Sequence, residues 1–216
     1  MPDGGRLLIE VTMWGKTTIC FVSTAVALMI VGLSVFSQSN TPIANAASGT
    51  DAKPLLLEKN EGELRTRRVH IDKSPTASSQ FMLKVSPKNN GSQHLVAGTE
   101  EVAPGATLPK HRHLLQDEIV LFHSGTAHVW LGDQERDLHA GGLVFIPANT
   151  WISAKNIGTE PVLLTFIFSA PGFEDTMRCN SVPAGETPTE ITPEQQTECA
   201  HLGHAESATR PESHKR

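Results

Sequence analysis

The sequence predicts an all-β barrel or sandwich. About eight short strand-like runs succeed one another through the middle of the chain, Gly, Pro, Asn and Asp punctuate them at close spacing, and no long helical period intervenes. A length of 216 residues suits one such domain with appendages. Four parts are expected: residues 1–46 as a signal peptide or N-terminal anchor, 47–78 as linker and edge elements, 79–170 as the barrel, and 171–216 as a C-terminal extension.

Residues 17–36 carry no charge, follow Lys16, and precede Ala44-Asn45-Ala46, an A-x-A cleavage signal. Export to the periplasm or the outside is the expectation. A membrane anchor is the alternative, since the apolar run is long enough to span a bilayer as a helix. Asp3 and Glu10 make the first twelve residues poor leader sequence, so Met13 is the better start for a compact basic leader. Removal of residues 1–46 takes two basic and two acidic residues, which leaves the net charge at −5. There is no basic run, no Walker-type loop and no dinucleotide fingerprint, so nucleic acid is not expected as a partner. Membrane contact is expected only through the N-terminal segment.

The elements follow in order. Residues 54–58 and 63–69 read as short edge elements, and regular strand patterning starts at 81–85 and continues through 94–102. Residues 126–131 and 134–138 flank Gly132-Asp133, a two-residue hairpin turn. Residues 143–146 and 161–168 complete the set. In the tail, Thr192 is placed to cap a helix with Pro193 at its first position and Gln195 closing a capping box. That helix is expected to run to about Ala200 and stop at Gly203, with a polar, disordered segment at 205–216.

Metal chemistry is concentrated in one stretch. His111 and His113 alternate with Arg112 on strand-like sequence, so both imidazoles project to one face. Leu114-Leu115-Gln116 reads as a tight connection, after which residues 117–122 are expected to run back antiparallel and swing Glu118 towards the imidazoles. Two neutral imidazoles and a carboxylate form a ligand set for a divalent transition metal, with coordination positions left for water or substrate. His123, five positions beyond Glu118, falls on the opposite face.

The spacing of Gly105, His111, His113, Glu118 and Gly125 resembles the first motif of the cupin family at each defining position. Gly141, Pro147 and Asn156 are similar to the second motif. Two positions depart from it: Asn149 stands in the place of a glycine, which asparagine can fill because it tolerates positive φ, and Ile152 stands where most metal-binding cupins carry a further histidine. His94 and His128 are the candidates to replace that ligand. The resemblance covers roughly residues 79–170. It implies a cupin-type jelly-roll barrel enclosing a pocket, with Val120, Phe122, Trp151 and Ile152 among the candidate wall residues, and it implies Fe, Mn, Zn or Ni at the triad. It further implies a metal-dependent enzyme of oxygenase, decarboxylase, isomerase or lyase type on a small organic molecule. The alternatives are a cupin that binds a small molecule or metal without turnover, and a barrel that serves as a scaffold. A homodimer is left open.

Of the three cysteines, Cys20 leaves with the export segment. Cys179 and Cys199 then pair as a disulfide in an oxidising compartment. The competing reading is a second metal site built from Cys199, His201 and His204.

Overall fold

The computed structural model describes residues 52–71 and 78–208. The expected export segment and cleavage signal, and Cys20, lie outside the described residues. In chain order the elements are β1 (Glu63–Arg67), β2 (Val69–His70), β3 (Gln80–Val85), α1 (Pro87–Asn90), β4 (Val96–Val102), β5 (Thr107–His113), β6 (Glu118–Phe122), β7 (Thr126–Leu131), β8 (Gln134–His139), β9 (Leu143–Ile146), β10 (Ile152–Asn156), β11 (Val162–Phe168), α2 (Phe173–Cys179), β12 (Ser181–Pro183), β13 (Glu190–Ile191), α3 (Pro193–Leu202) and β14 (Ala205–Ser207).

Two sheets face each other, one ordered β12-β1-β3-β4-β11-β6-β9 and the other β14-β5-β10-β7-β8, while β13 and β2 form a small parallel pair. Alternation along the strands makes the interior. In β11, Val162, Leu164, Phe166 and Phe168 are buried while the residues between them are partly exposed, as a strand with one face on a core requires. They meet Phe81, Leu83, Val96, Phe122, Val129 and Ile146 in one continuous cluster. The predicted Gly132-Asp133 turn joins β7 to β8, with Leu131 opposite Gln134.

Motif residues of the second half are structural. The Asn156 side chain is buried, donates to the Val102 and Glu160 carbonyls at 2.9 Å each, and accepts from Gly158 N at 2.9 Å. It ties the turn between β10 and β11 to the end of β4. Gly125 has φ +76°, and a Cβ there would come within 2.8 Å of the Pro161 carbonyl oxygen, so only glycine fits. Asn149 takes φ +65°, the conformation expected of an asparagine in a glycine's place.

Several expectations are corrected. β5 and β6 do not form a hairpin: they belong to different sheets, because the 114–117 connection carries the chain across the mouth of the barrel. β1 is no edge strand, since it lies between β12 and β3, and residues 54–58 form no strand. His94 lies in a bend before β4. Within the tail expected to be disordered, Ala205–Ser207 forms a strand that pairs antiparallel with β5; three residues are too few for a strand period to be recognised from sequence.

The C-terminal extension is a built unit. α2, which sequence reading did not anticipate, carries Glu174 and Asp175 in its first turn and Arg178 in its last, charges that suit the helix dipole. Arg178 donates to Glu63 at 2.7 Å, to Ser86 Oγ at 2.9 Å and to Asn89 Oδ1 at 3.2 Å. Burial pushes the Glu63 carboxyl up, but Arg178 and Arg65 outweigh it and hold it below the usual carboxylate range. α3 begins with the predicted capping box of Thr192 and Gln195 and ends at Gly203. There α2 and α3 approach so closely that a Cβ on Gly203 would lie 2.8 Å from Phe173 Cα.

Cys179 and Cys199 are joined in a disulfide across these helices. Replacing both by Ser is expected to lower stability by roughly 3 kcal/mol, the chain-entropy value for a loop of this length, read as a lower denaturation midpoint. Two free thiols titrating in the unfolded, unreduced protein would rule the bridge out.

Candidate metal centre

β5 and β6 deliver the candidate ligands from opposite sheets. His111 and His113 alternate with Arg112 along β5, whose partner strands are β10 and β14. Glu118 opens β6 on the facing sheet, between Phe168 of β11 and Ile146 of β9. The connection that joins them is fixed by Asp117, which accepts from Ala148 N at 2.8 Å and whose own N–H donates to Ser169 Oγ at 3.0 Å. Gln116 is buried beside it and donates to the Pro171 carbonyl at 3.2 Å.

One nitrogen or oxygen from each of His111, His113 and Glu118 lies within 4.8 Å of the others. His113 Nε2 stands 3.1 Å from Glu118 Oε2, yet neither His113 ring nitrogen has a hydrogen-bond partner although the ring is fully buried. A buried imidazole that makes no hydrogen bond is costly, and a divalent ion accepting its lone pair would remove the cost. His111 supports the same reading: its Nδ1–H donates to the Pro109 carbonyl at 2.7 Å, which selects the tautomer with a free Nε2 lone pair. The residues therefore fit a metal ion.

Burial lowers the His111 pKa first, and the neighbouring His113 lowers it further, against the opposing pull of Glu118 and the Pro109 carbonyl. The imidazole is kept neutral, the form that ligation needs.

The remaining sequence candidates are dispersed. Ile152 lies opposite His111 across the β5–β10 pairing, buried in the core, so an alkyl side chain stands beside the ligands. Val120 and Phe122 share the inward face of β6 with Glu118. Trp151 packs instead against Arg112 at 4.7 Å and Lys110 at 5.7 Å, the β5 side chains that alternate with the ligands. With Ile152, Trp130 and Ser153 it lines an open cleft of about 440 Å³. The interior void lined by Phe122 is only about 10 Å³.

The proposed substitutes do not join the triad. His128 is bonded to Asp137 at 2.6 Å, a contact that raises its pKa, and His94 is exposed. Cys199 is consumed by the disulfide, which removes it from any site with His201 and His204. His123 is exposed beyond the end of β6 and bonds Thr165 Oγ1 at 2.7 Å.

One site residue was not found by sequence reading. Phe173 packs edge-on to His113 with centroids 4.2 Å apart and lies nearly parallel to His111 at 6.2 Å. Phe168 completes the aromatic surround, 5.0 Å from His113 and 5.1 Å from Phe173. The available signal was the acidic helix start at Glu174-Asp175, which places Phe173 at the head of a helix.

Residues 98–168 match the cupin domain family model. Among solved structures, the chain is similar to the Schizosaccharomyces pombe Cnp3 cupin domain, at 21% identity over 46% of this chain and 69% of that one, with TM-score 0.39. A Klebsiella pneumoniae protein with a double-stranded β-helix domain matches at 17% identity over 55% and 91%, with TM-score 0.42. The Lactobacillus farciminis oxalate decarboxylase formate complex matches at 22% identity over 56% and 32%, with TM-score 0.40. No curated protein matches the chain.

His111 contributes to the acid side of metal binding. Burial and the neighbouring His113 hold its folded-state pKa below the ordinary imidazole value of 6.5, so at this residue protons compete with a metal only below that pH. His111 should therefore not be the group that releases an ion as pH falls to 6.5. In the metal-free protein the same shift contributes stability above pH 6.5 that is lost as pH falls towards the folded pKa. Titration of the His111 ring by NMR in the metal-free protein should show the depressed value; a midpoint above 6.5 would contradict it.

Proposed function

We propose that this chain, which carries a cupin domain over residues 98–168, is a metal-dependent enzyme acting on a small organic molecule. His111, His113 and Glu118 are its ligands. The observation that carries the reading is the buried His113 ring, which makes no hydrogen bond at either nitrogen while its Nε2 faces the Glu118 carboxylate at 3.1 Å.

A bound Fe, Mn, Zn or Ni ion would supply Lewis-acid polarisation of a substrate oxygen or, for iron, oxygenase chemistry. The protein's own contribution is geometric. β5 and β6 hold the three donor groups before any ion arrives, the Pro109 carbonyl fixes the His111 tautomer, and the buried surroundings exclude water. Ile152, adding no donor beside His111, leaves coordination positions to the substrate. Oxygenase, decarboxylase, isomerase and lyase reactions are all compatible with this arrangement, because a cupin fold does not select among them.

Export to an oxidising compartment belongs to the same proposal, and the Cys179–Cys199 disulfide supports it, since such bridges persist where thiols are not kept reduced. A second reading, binding of a metal or small molecule without turnover, is favoured by Ile152, because a site short of one ligand holds its ion less tightly. Oxygen uptake and substrate loss with a panel of small carboxylic acids and sugars, measured on the metal-loaded full chain, separates the two.

Replacing His111, His113 or Glu118 by Ala should each abolish stoichiometric metal in protein purified without chelator, with the far-ultraviolet circular dichroism unchanged, because the apolar core does not rest on the ion. His123→Ala should retain the metal. Uptake by the three variants equal to that of the unaltered chain would end the metal reading.

A further inference from the structure

The geometry points to Phe173 as the residue that sets how large a molecule can reach the metal, with the C-terminal extension as its rigid mount. This rests on the reading of His111, His113 and Glu118 as ligands. It adds a class of ligand: small anions or carboxylates that coordinate through one end, in preference to bulky aromatic acids.

Three donors approach an ion from one side, so an incoming molecule needs the other side. Phe173 packs edge-on against His113 with centroids 4.2 Å apart and lies 6.2 Å from His111, nearly parallel to it. A ring this close to two ligands shares their immediate surroundings with any molecule drawn to the ion. Phe168, at 5.1 Å from Phe173, closes another flank. The residue lies beyond the cupin domain match, which ends at 168, so this part of the site is supplied by the extension rather than by the barrel.

Phe173 is also held in place from several directions. Its helix packs on α3 at Gly203, where no Cβ could be accommodated without a shift. Thr176 Oγ1 donates to the Cys199 carbonyl at 2.9 Å, and the disulfide joins the two helices at Cys179 and Cys199. Arg178 bonds Glu63 of β1. α3 then runs into β14, whose Ala205 and Ser207 lie opposite His113 and His111 on β5, and Leu114 N donates to the His204 carbonyl at 2.7 Å. The mount and the strand of His111 and His113 are therefore one hydrogen-bonded unit, and the helix that carries the ring cannot shift without breaking it. A fixed ring discriminates by size, whereas a mobile one would yield to any ligand.

The test uses the full chain loaded with Co²⁺ and follows the visible absorption during titration with azide, a small anion, and benzoate, a bulky one. In the unaltered protein azide should perturb the spectrum and benzoate should not. Phe173→Ala should bind benzoate at least about tenfold more tightly, the order expected when a pocket wall is removed, with azide affinity little changed. Phe173→Leu should lie between and decides the matter if the alanine variant does not hold one Co²⁺ per chain. In the Cys179→Ser/Cys199→Ser double variant, EDTA should extract Co²⁺ at least about tenfold faster, as the mount loosens. Equal benzoate binding with Phe and Leu at 173, loss of azide and benzoate affinity in step, or unchanged extraction in the double variant would overturn the gate while leaving the metal site standing. Failure of the unaltered chain to bind Co²⁺ would remove the ligand assignment and the gate together.

Discussion

The approach of His113 to Glu118 across the barrel mouth is the constraint on which the rest depends. Two candidate ligands five residues apart in sequence are presented by two different sheets, and a short connection must hold them at 3.1 Å in a dry environment. Asp117 makes this possible by bonding to both neighbouring turns, at Ala148 and at Ser169. Gln116 reaches the Pro171 carbonyl and so links the same connection to the start of the extension. The core that surrounds these groups, Phe168, Ile146 and Phe122 among them, strengthens the electrostatics by excluding water.

The barrel strands and the clustering of His111, His113 and Glu118 were legible because their signals are local. Alternating apolar residues in 162–168, the glycine positions and the two histidines with one residue between them each announce a strand face within a few residues. The pairing of those strands was not legible. Residues 114–117 could as easily have closed a hairpin, and the decision to cross to the other sheet comes from tertiary bonds made by Asp117 and Gln116 with residues 30 to 55 positions away. The tail failed for the same reason: Ala205–Ser207 has no intrinsic preference that identifies it, and it becomes a strand because β5 offers an unpaired edge.

Trp151 illustrates how a correct element can mislead about a side chain. It immediately precedes β10, and the step to Ile152 turns the next side chain inward. Ile152 is buried while Trp151 rests against Arg112 and Lys110. Phe173, from a helix outside the motif, packs on His113 where Trp151 does not. The cluster is thus composite, with His111, His113 and Glu118 from the barrel and one aromatic wall from the extension.

That division has a temporal side. A ribosome releases the ligand strand long before it releases Ala205–Ser207, which pairs with that strand. A nascent chain can therefore present His111, His113 and Glu118 with one side of β5 bare, and an ion captured at that stage would meet an unfinished enclosure. Completion awaits α3 and β14, which follow the barrel in the chain, so β14 can pair with β5 only after the barrel strands have emerged.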